Sequence, residues 1–369
     1  MNEPIVLGTQ LRSARRSLAL SIGEAAQGLG ANPSQLQAWE SGQSEPPLED
    51  LWRLAELYER NLDYFLAPTS APPARFELRL PEHAGMRDLP LSARRVIAQF
   101  DELCRAATEL EQLVGEIPKV TVPRRLGATD PSQLASEERQ RLGLGDRPIN
   151  GLRLLLEEQG VRSFELPVPE DAFSGLSWWH QEYGPCILVN AHDRVGRRNF
   201  TMAHEYAHLV AHDRPFLCEV DVVPRQDERL ANSFAVAFLM PARDVVRSFR
   251  RRGLEGRPIS DRQLASLSSR YSVSLEAMAR RIEELSLVAP GTTESLILKW
   301  KSQPKRWGRS KTPKWRRRVG ERFSTTVLEA HRRGEISIGK VAQYLNLDVR
   351  KAMEEVGHTR TEGRGEREA

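Results

Sequence analysis

His204 and His208, in the run His204-Glu205-Tyr206-Ala207-His208, are the residues of this sequence whose spacing could hold a metal ion. On an α-helix, positions i and i+4 differ by about 40° in azimuth and about 6 Å in rise, so both imidazoles can turn a ring nitrogen toward one ion. Glu205 lies about 100° around the same helix. Its carboxylate falls beside such an ion rather than on it, where it can accept a proton from water, which is how the HExxH pattern serves hydrolysis. With eight histidines in the chain, random placement yields the pattern about 0.02 times, so its setting must carry part of the weight. Apolar Phe200, Met202, Ala203, Ala207, Val210 and Ala211 surround the pair, as a metal helix inside a domain core requires. Two histidines satisfied by hydrogen bonds on an ordinary helix are the alternative.

Catalytic zinc takes three protein ligands and keeps a fourth position for water. A second helix is the natural donor, and the segment from Asp227 to Pro241 is strongly helical and closes on a proline. Glu228 is the expected third ligand, because its face continues through Asn232 and Ala235, small enough for two helices to approach. Asp227 is the competing candidate, although it points about 100° away on a shorter side chain. His212 is one turn beyond His208 but about 12 Å along the helix from His204, too far to share an ion, and is expected to support or pack.

These residues need elements to position them. The chain has 369 residues, enough for two or three domains, with 40% hydrophobic and 28% charged residues, which excludes a wholly disordered or fibrous chain. No run approaches 18 apolar residues and the start has no apolar core of signal-peptide length, so a cytoplasmic protein with no membrane partner is expected. Three widely spaced cysteines, Cys104, Cys186 and Cys218, argue against a disulfide framework or a cysteine zinc site. Residues 1–66 read as closely spaced short helices, and 67–130 as a proline-rich linker followed by a connecting helix from Ser92 to Gly115. That helix carries an apolar stripe, Val96, Phe100, Leu103, Ala107, Leu110 and Val114, which either packs on its own chain or zips a homodimer as a short coiled coil. Residues 131–291 form a larger domain with mostly helical patterns and strand candidates at Val161–Leu166 and Pro185–Asn190. Residues 292–357 hold a basic segment and further helices, and 358–369 read as a disordered tail. Within 299–318 ten basic and no acidic side chains interleave with Trp300, Trp307 and Trp315, a composition that either adds nucleic-acid affinity or is simply solvated. No repeat of fixed period is evident.

The segment from Leu20 to Gly42 contains a cap, a helix, a glycine turn and a second helix ending at glycine, which is helix-turn-helix spacing. Ala25 and Ala26 permit close crossing, Leu36 and Trp39 bury the second helix, and Ser34, Gln35 and Gln37 are left facing outward, where they can reach base edges in the major groove of duplex DNA. Arg12, Arg15 and Arg16 are candidate phosphate contacts. A second, weaker pattern of this kind lies at Ile336–Leu347.

With Glu40-Ser41-Gly42 and Pro46, residues 8–66 resemble the Xre, or lambda-repressor-like, DNA-binding family, although Ile22 stands where members often carry glutamine. Residues 132–288 resemble the ImmA/IrrE metallopeptidases through Arg198-x-Phe200-Thr201-x-Ala203 ahead of the HExxH run and Glu228-x-x-Ala231-Asn232-x-Phe234-Ala235 with Leu239-Met240-Pro241 after it. The upstream pieces Gly160-Val161, Ser174-Gly175-Leu176-Ser177 and Ile187-Leu188-Val189-Asn190 fit the same family. The two resemblances imply a mainly α (α+β) protein, a five-helix DNA-binding domain joined to a zincin-like domain with a small sheet. They imply further that His204, His208 and Glu228 bind zinc, that Glu205 is the catalytic base, and that the partners are operator DNA and a protein substrate such as a repressor. The alternative class is a transcription factor or antitoxin whose metal domain senses a signal or binds a partner without proteolysis. His180 and Tyr183 are weak candidates for steadying the reaction's oxyanion.

Overall fold

The computed structural model describes residues 4–66, 88–169, 172–212, 216–218, 226–301 and 314–365, and its helices start and stop where capping chemistry dictates. The first five are α1 (Pro4–Ser17), α2 (Ile22–Leu29), α3 (Pro33–Ser41), α4 (Leu48–Leu57) and α5 (Leu62–Leu66). Ser21 opens α2 with a capping box: its hydroxyl accepts from the Glu24 amide at 3.2 Å, and the Glu24 carboxylate accepts from the Ser21 amide at 2.7 Å. Gly30 closes the helix at φ 70°, a left-handed turn that a Cβ would strain. Asn32 caps α3 through the Ser34 amide, with Pro33 in the first turn. Leu11, Ala26, Leu36, Trp39, Leu54 and Tyr58 close the core of this bundle. A Cβ on Gly8 would lie 2.7 Å from the Trp39 carbonyl oxygen, so α1 and α3 cross closely because position 8 is glycine.

By its internal contacts the chain divides into residues 1–106 with 167–172 and residues 107–166 with 173–369. Helix α6 (Leu91–Val114) runs across position 106, and its stripe residues Phe100, Leu103, Ala107, Leu110 and Val114 are buried within this single chain. These residues of the stripe therefore pack on their own chain. The proline-rich stretch before it lies largely outside the described residues.

The second unit continues with α7 (Pro131–Arg141), α8 (Leu152–Glu158), β1 (Arg162–Leu166), β2 (Gly175–His180), β3 (Gly184–Asn190), α9 (Val195–Ala211), β4 (Phe216–Cys218) and α10 (Gln226–Leu239). It then adds α11 (Ala242–Arg251), α12 (Asp261–Arg270), α13 (Leu275–Glu284), α14 (Thr292–Lys301), α15 (Lys314–Val319), α16 (Glu321–Arg332), α17 (Ile338–Leu345) and α18 (Val349–Gly365). The four strands form one sheet in the order β1-β3-β2-β4, with β1 parallel to β3 and the other pairs antiparallel. Cys186, Ile187, Leu188 and Val189 of β3 are all fully buried, which is why the central strand is a continuous apolar run. Helix α9 packs on β2 and β3 and then against α10. Tyr206 and Phe234 close that core between the small residues Ala203, Ala207, Ala231 and Ala235.

The C-terminal helices pack on the same unit. Arg153 of α8 donates to the Arg317 carbonyl, Arg322 lies 3.2 Å from Glu111, and the rings of Phe164 on β1 and Phe323 on α16 sit edge to face at 5.5 Å. Helix α18 runs to Gly365, so the tail expected to be disordered from 358 is helical through most of its length.

Candidate metal centre

Helix α9 carries His204, Glu205 and His208 into the interior, at 5%, 0% and 1% exposure. The helix is held in place from both sides. On one flank Arg198 pairs with Glu165 at the end of β1 (2.9 Å), and the Trp179 indole of β2 donates to the Leu209 carbonyl (2.7 Å). On another the Tyr206 phenol, whose acidity burial suppresses well beyond the ordinary tyrosine range, donates to Glu138 of α7. Tyr206, inside the motif, thus anchors the helix rather than serving the site.

Glu228 arrives from the first turn of α10. Its carboxylate lies 3.1 Å from His204 Nε2 and 3.4 Å from His208 Nε2, and the two Nε2 atoms are 3.1 Å apart. All three candidate ligand atoms fall within 4.8 Å of one another. Asp227, the competing candidate, turns away and meets His212 instead, its carboxylate 3.3 Å from Nε2. One helix register therefore separates the two acidic neighbours, as their 100° offset requires.

The far nitrogens explain how the rings are oriented. Asn232, one turn after Glu228, offers its amide oxygen to His204 Nδ1 at 3.0 Å, so Nδ1 carries the proton and Nε2 a lone pair. His208 Nδ1 lies 3.2 Å from His212 Nδ1. With the Asp227 carboxylate on its Nε2, His212 donates there and accepts at Nδ1, which makes His208 the donor at Nδ1 and leaves its Nε2 as a second lone pair. Two imidazole lone pairs and a carboxylate converging on one point are a donor set that calls for a cation, and its N₂O composition suits zinc.

Burial pushes the His208 imidazole down to about 3. Burial also disfavours protonation of His204, but the Glu228 carboxylate overrides it and raises that ring above its ordinary value. Burial alone would raise Glu228; its two histidine partners instead hold it below the usual carboxylate range.

Glu205 lies on the flank, against the first residue of β2. A Cβ built on Gly175 would stand 2.4 Å from Glu205 Oε1 and 2.6 Å from Thr201 Cγ2, so the carboxylate occupies the space that the missing side chain leaves. His180 and Tyr183 are at the other end of that strand, about 17 Å along it. There the His180 ring stacks on Tyr183 at 3.8 Å and its Nδ1 accepts from the amides of Glu182 and Tyr183. They build the β2–β3 turn, and the oxyanion role expected of them does not fit their position. The sequence places Asn232 on the Glu228 face and gives His212 a supporting role, but it pairs neither Asn232 with His204 nor His212 with Asp227 and gives Gly175 no part beside Glu205.

In the N-terminal bundle Ser34, Gln35 and Gln37 are exposed on α3, with the Ser34 hydroxyl donating to Asn32 at 2.9 Å. Arg15 does not face outward as expected. Its guanidinium grips the Glu40 carboxylate at 2.6 and 2.8 Å and donates to the Leu20 carbonyl, because Glu40 reaches back from α3 across the α1 crossing. Arg12 and Arg16 remain exposed. Of the basic segment, residues 302–313 lie outside the described residues; at its start Lys299 and Trp300 are both bound to Asp261.

Fold and site together define a helix-turn-helix domain joined in one chain to a metallopeptidase-like domain. Comparison with family models agrees: residues 11–65 match the Helix-turn-helix family and residues 156–283 match the IrrE N-terminal-like domain, a peptidase family. No curated protein matches the chain. Among the described residues, no helix is long and apolar enough to cross a membrane.

Proposed function

We propose that this protein is a cytoplasmic DNA-binding transcriptional regulator with zinc-dependent endopeptidase activity, and that its substrate is a repressor or another regulatory protein. The observation that carries the reading is the convergence of His204, His208 and Glu228 within 4.8 Å, with fully buried Glu205 beside them. His204 Nε2, His208 Nε2 and Glu228 would hold the ion, which when bound supplies Lewis acidity toward water and a peptide carbonyl. The Glu205 carboxylate takes the proton of the attacking water and returns it to the nitrogen of the leaving amine. Asn232 keeps the His204 ring in register, and His212 with Asp227 does the same for His208. The α3 side chains Gln35 and Gln37, with Ser34 at the helix start, would read operator DNA while Arg12 and Arg16 meet phosphate.

The test combines metal analysis with incubation of the protein and repressors encoded near its own gene. Stoichiometric zinc, and cleavage that disappears on chelation and in His204→Ala, is expected. Zinc uptake without cleavage of any such repressor would favour a non-proteolytic sensor.

Two further results follow from the geometry. Gly175→Ala should displace the Glu205 carboxylate, leave zinc content unchanged and lower cleavage about a hundredfold, the cost of misplacing a reacting group by about 1 Å; unchanged cleavage removes Gly175 as a positioning residue. Zinc affinity should fall about tenfold per pH unit as pH drops through the His204 value. The sign follows from the raised His204 ring: its proton stabilises the metal-free fold at low pH and must leave for the metal to enter. His208, held near 3, is already neutral there and adds no second proton. Zinc titration by competition with a chromophoric chelator reads the slope, and a two-proton slope contradicts the assignment.

A further inference from the structure

The C-terminal helices repeat the construction of the DNA-binding bundle. Helix α17 has eight residues, as α2 has; Ser337 caps it through the Lys340 amide, and it closes on a left-handed residue, Asn346 at φ 54°, where α2 closes on Gly30. Two residues after that turn Asp348 caps α18 through the Lys351 amide at 2.8 Å, where Asn32 caps α3. Aligned on these caps, residues 337–348 are identical to 21–32 at six of twelve positions: the serine, isoleucine, glycine, alanine, glutamine and leucine of the Ser-Ile-Gly-x-x-Ala-Gln-x-Leu frame. Leu36, which buries α3, corresponds to Ala352, and both are fully buried. Helix α16 precedes the pair as α1 precedes α2. This unit lies beyond both matched stretches, 11–65 and 156–283.

The outward positions differ in chemistry. Where α3 presents Ser34 and Gln35, α18 presents Arg350 and Lys351, whose side chains are 88% and 63% exposed, with only exposed local carboxylates, Glu354 and Asp348, at 3.5 and 3.2 Å. From 314 to 357 ten Lys and Arg stand against six Asp and Glu. Amide groups at the start of a recognition helix suit base edges, whereas guanidinium and ammonium groups there suit phosphate and guanine.

We infer that α17–α18 is a second helix-turn-helix unit, which binds duplex DNA through Arg350 and Lys351 at the start of α18. The contact is mainly electrostatic and does not require the peptidase reading. It adds to the α3 surface a site whose affinity depends more steeply on salt, since each neutralised phosphate releases counterions.

The experiment measures binding of the full-length protein to a labelled mixed-sequence duplex of about 30 base pairs by fluorescence anisotropy across a salt series. The double variant Arg350→Glu/Lys351→Glu is compared with Gln35→Ala/Gln37→Ala and with the conservative pair Arg350→Lys/Lys351→Arg. The charge reversal should weaken binding at least tenfold at low salt and flatten the plot of log affinity against log salt by about two, one unit per lost phosphate contact. The conservative pair should keep the wild-type slope. Affinity and slope unchanged by the charge reversal, or no binding of this duplex by the wild-type chain, overturns the inference. The N-terminal reading is decided separately, by whether Gln35→Ala/Gln37→Ala loses preference for DNA upstream of the protein's own gene.

Discussion

Glu205→Gln is expected to leave zinc content at the wild-type level and to lower cleavage of the substrate by about a thousandfold, within the range that a positioned general base supplies. The amide keeps the shape of the carboxylate, so the pocket beside Gly175 and Thr201 stays filled. What is lost is a basic oxygen able to accept a proton. His204→Ala should lose metal and cleavage together, because it removes a ligand rather than a base. Measuring zinc by elemental analysis and cut product by gel on both variants separates the two roles. Full activity in Glu205→Gln would sink the mechanism while leaving the metal site standing.

Glu40→Ala should destabilise the N-terminal bundle by about 3–5 kcal/mol, the usual cost of leaving one member of a buried ion pair alone. The Arg15 and Glu40 side chains are only 9% and 2% exposed, so the stranded guanidinium has little water to turn to. Replacing both partners, Arg15→Met with Glu40→Leu, should recover most of the loss, since apolar groups of similar volume need no partner. Urea unfolding of the full chain followed by circular dichroism gives both values. A Glu40→Ala protein within 1 kcal/mol of wild type would show that the pair contributes little.

What could be read in advance was mostly local. The i, i+4 spacing of His204 and His208, the phase of Glu228 against Asp227, and the cap, helix, glycine turn and second helix between Leu20 and Gly42 depend on a few neighbouring residues, and the structure follows them. Strand candidates at 161–166 and 185–190 appear as β1 and β3: β1 alternates Phe164 and Leu166 with Ser163 and Glu165, and β3 carries the apolar run Cys186–Val189. β4 has only three residues, and the place of both β2 and β4 in the sheet depends on which distant segments they meet. The misreadings are of the same kind. Arg15 sits on a helix face whose exposure depends on Glu40, 25 residues later, and the distance of His180 from Glu205 is set by strand direction, which composition does not carry. The His212–Asp227 contact joins the end of one helix to the start of another, and no periodicity within either announces it.

The seam between α9 and α10 bears on how the proposed ion would be taken up. Ala203, Ala207, Ala231, Ala235, Phe234 and Phe238 are all fully buried there, and their packing does not depend on the ligands. Apolar cohesion thus preshapes the cage before any ion arrives, so little of the binding energy is diverted into ordering the chain. A centre built this way can be emptied and reloaded while the chain around it remains folded.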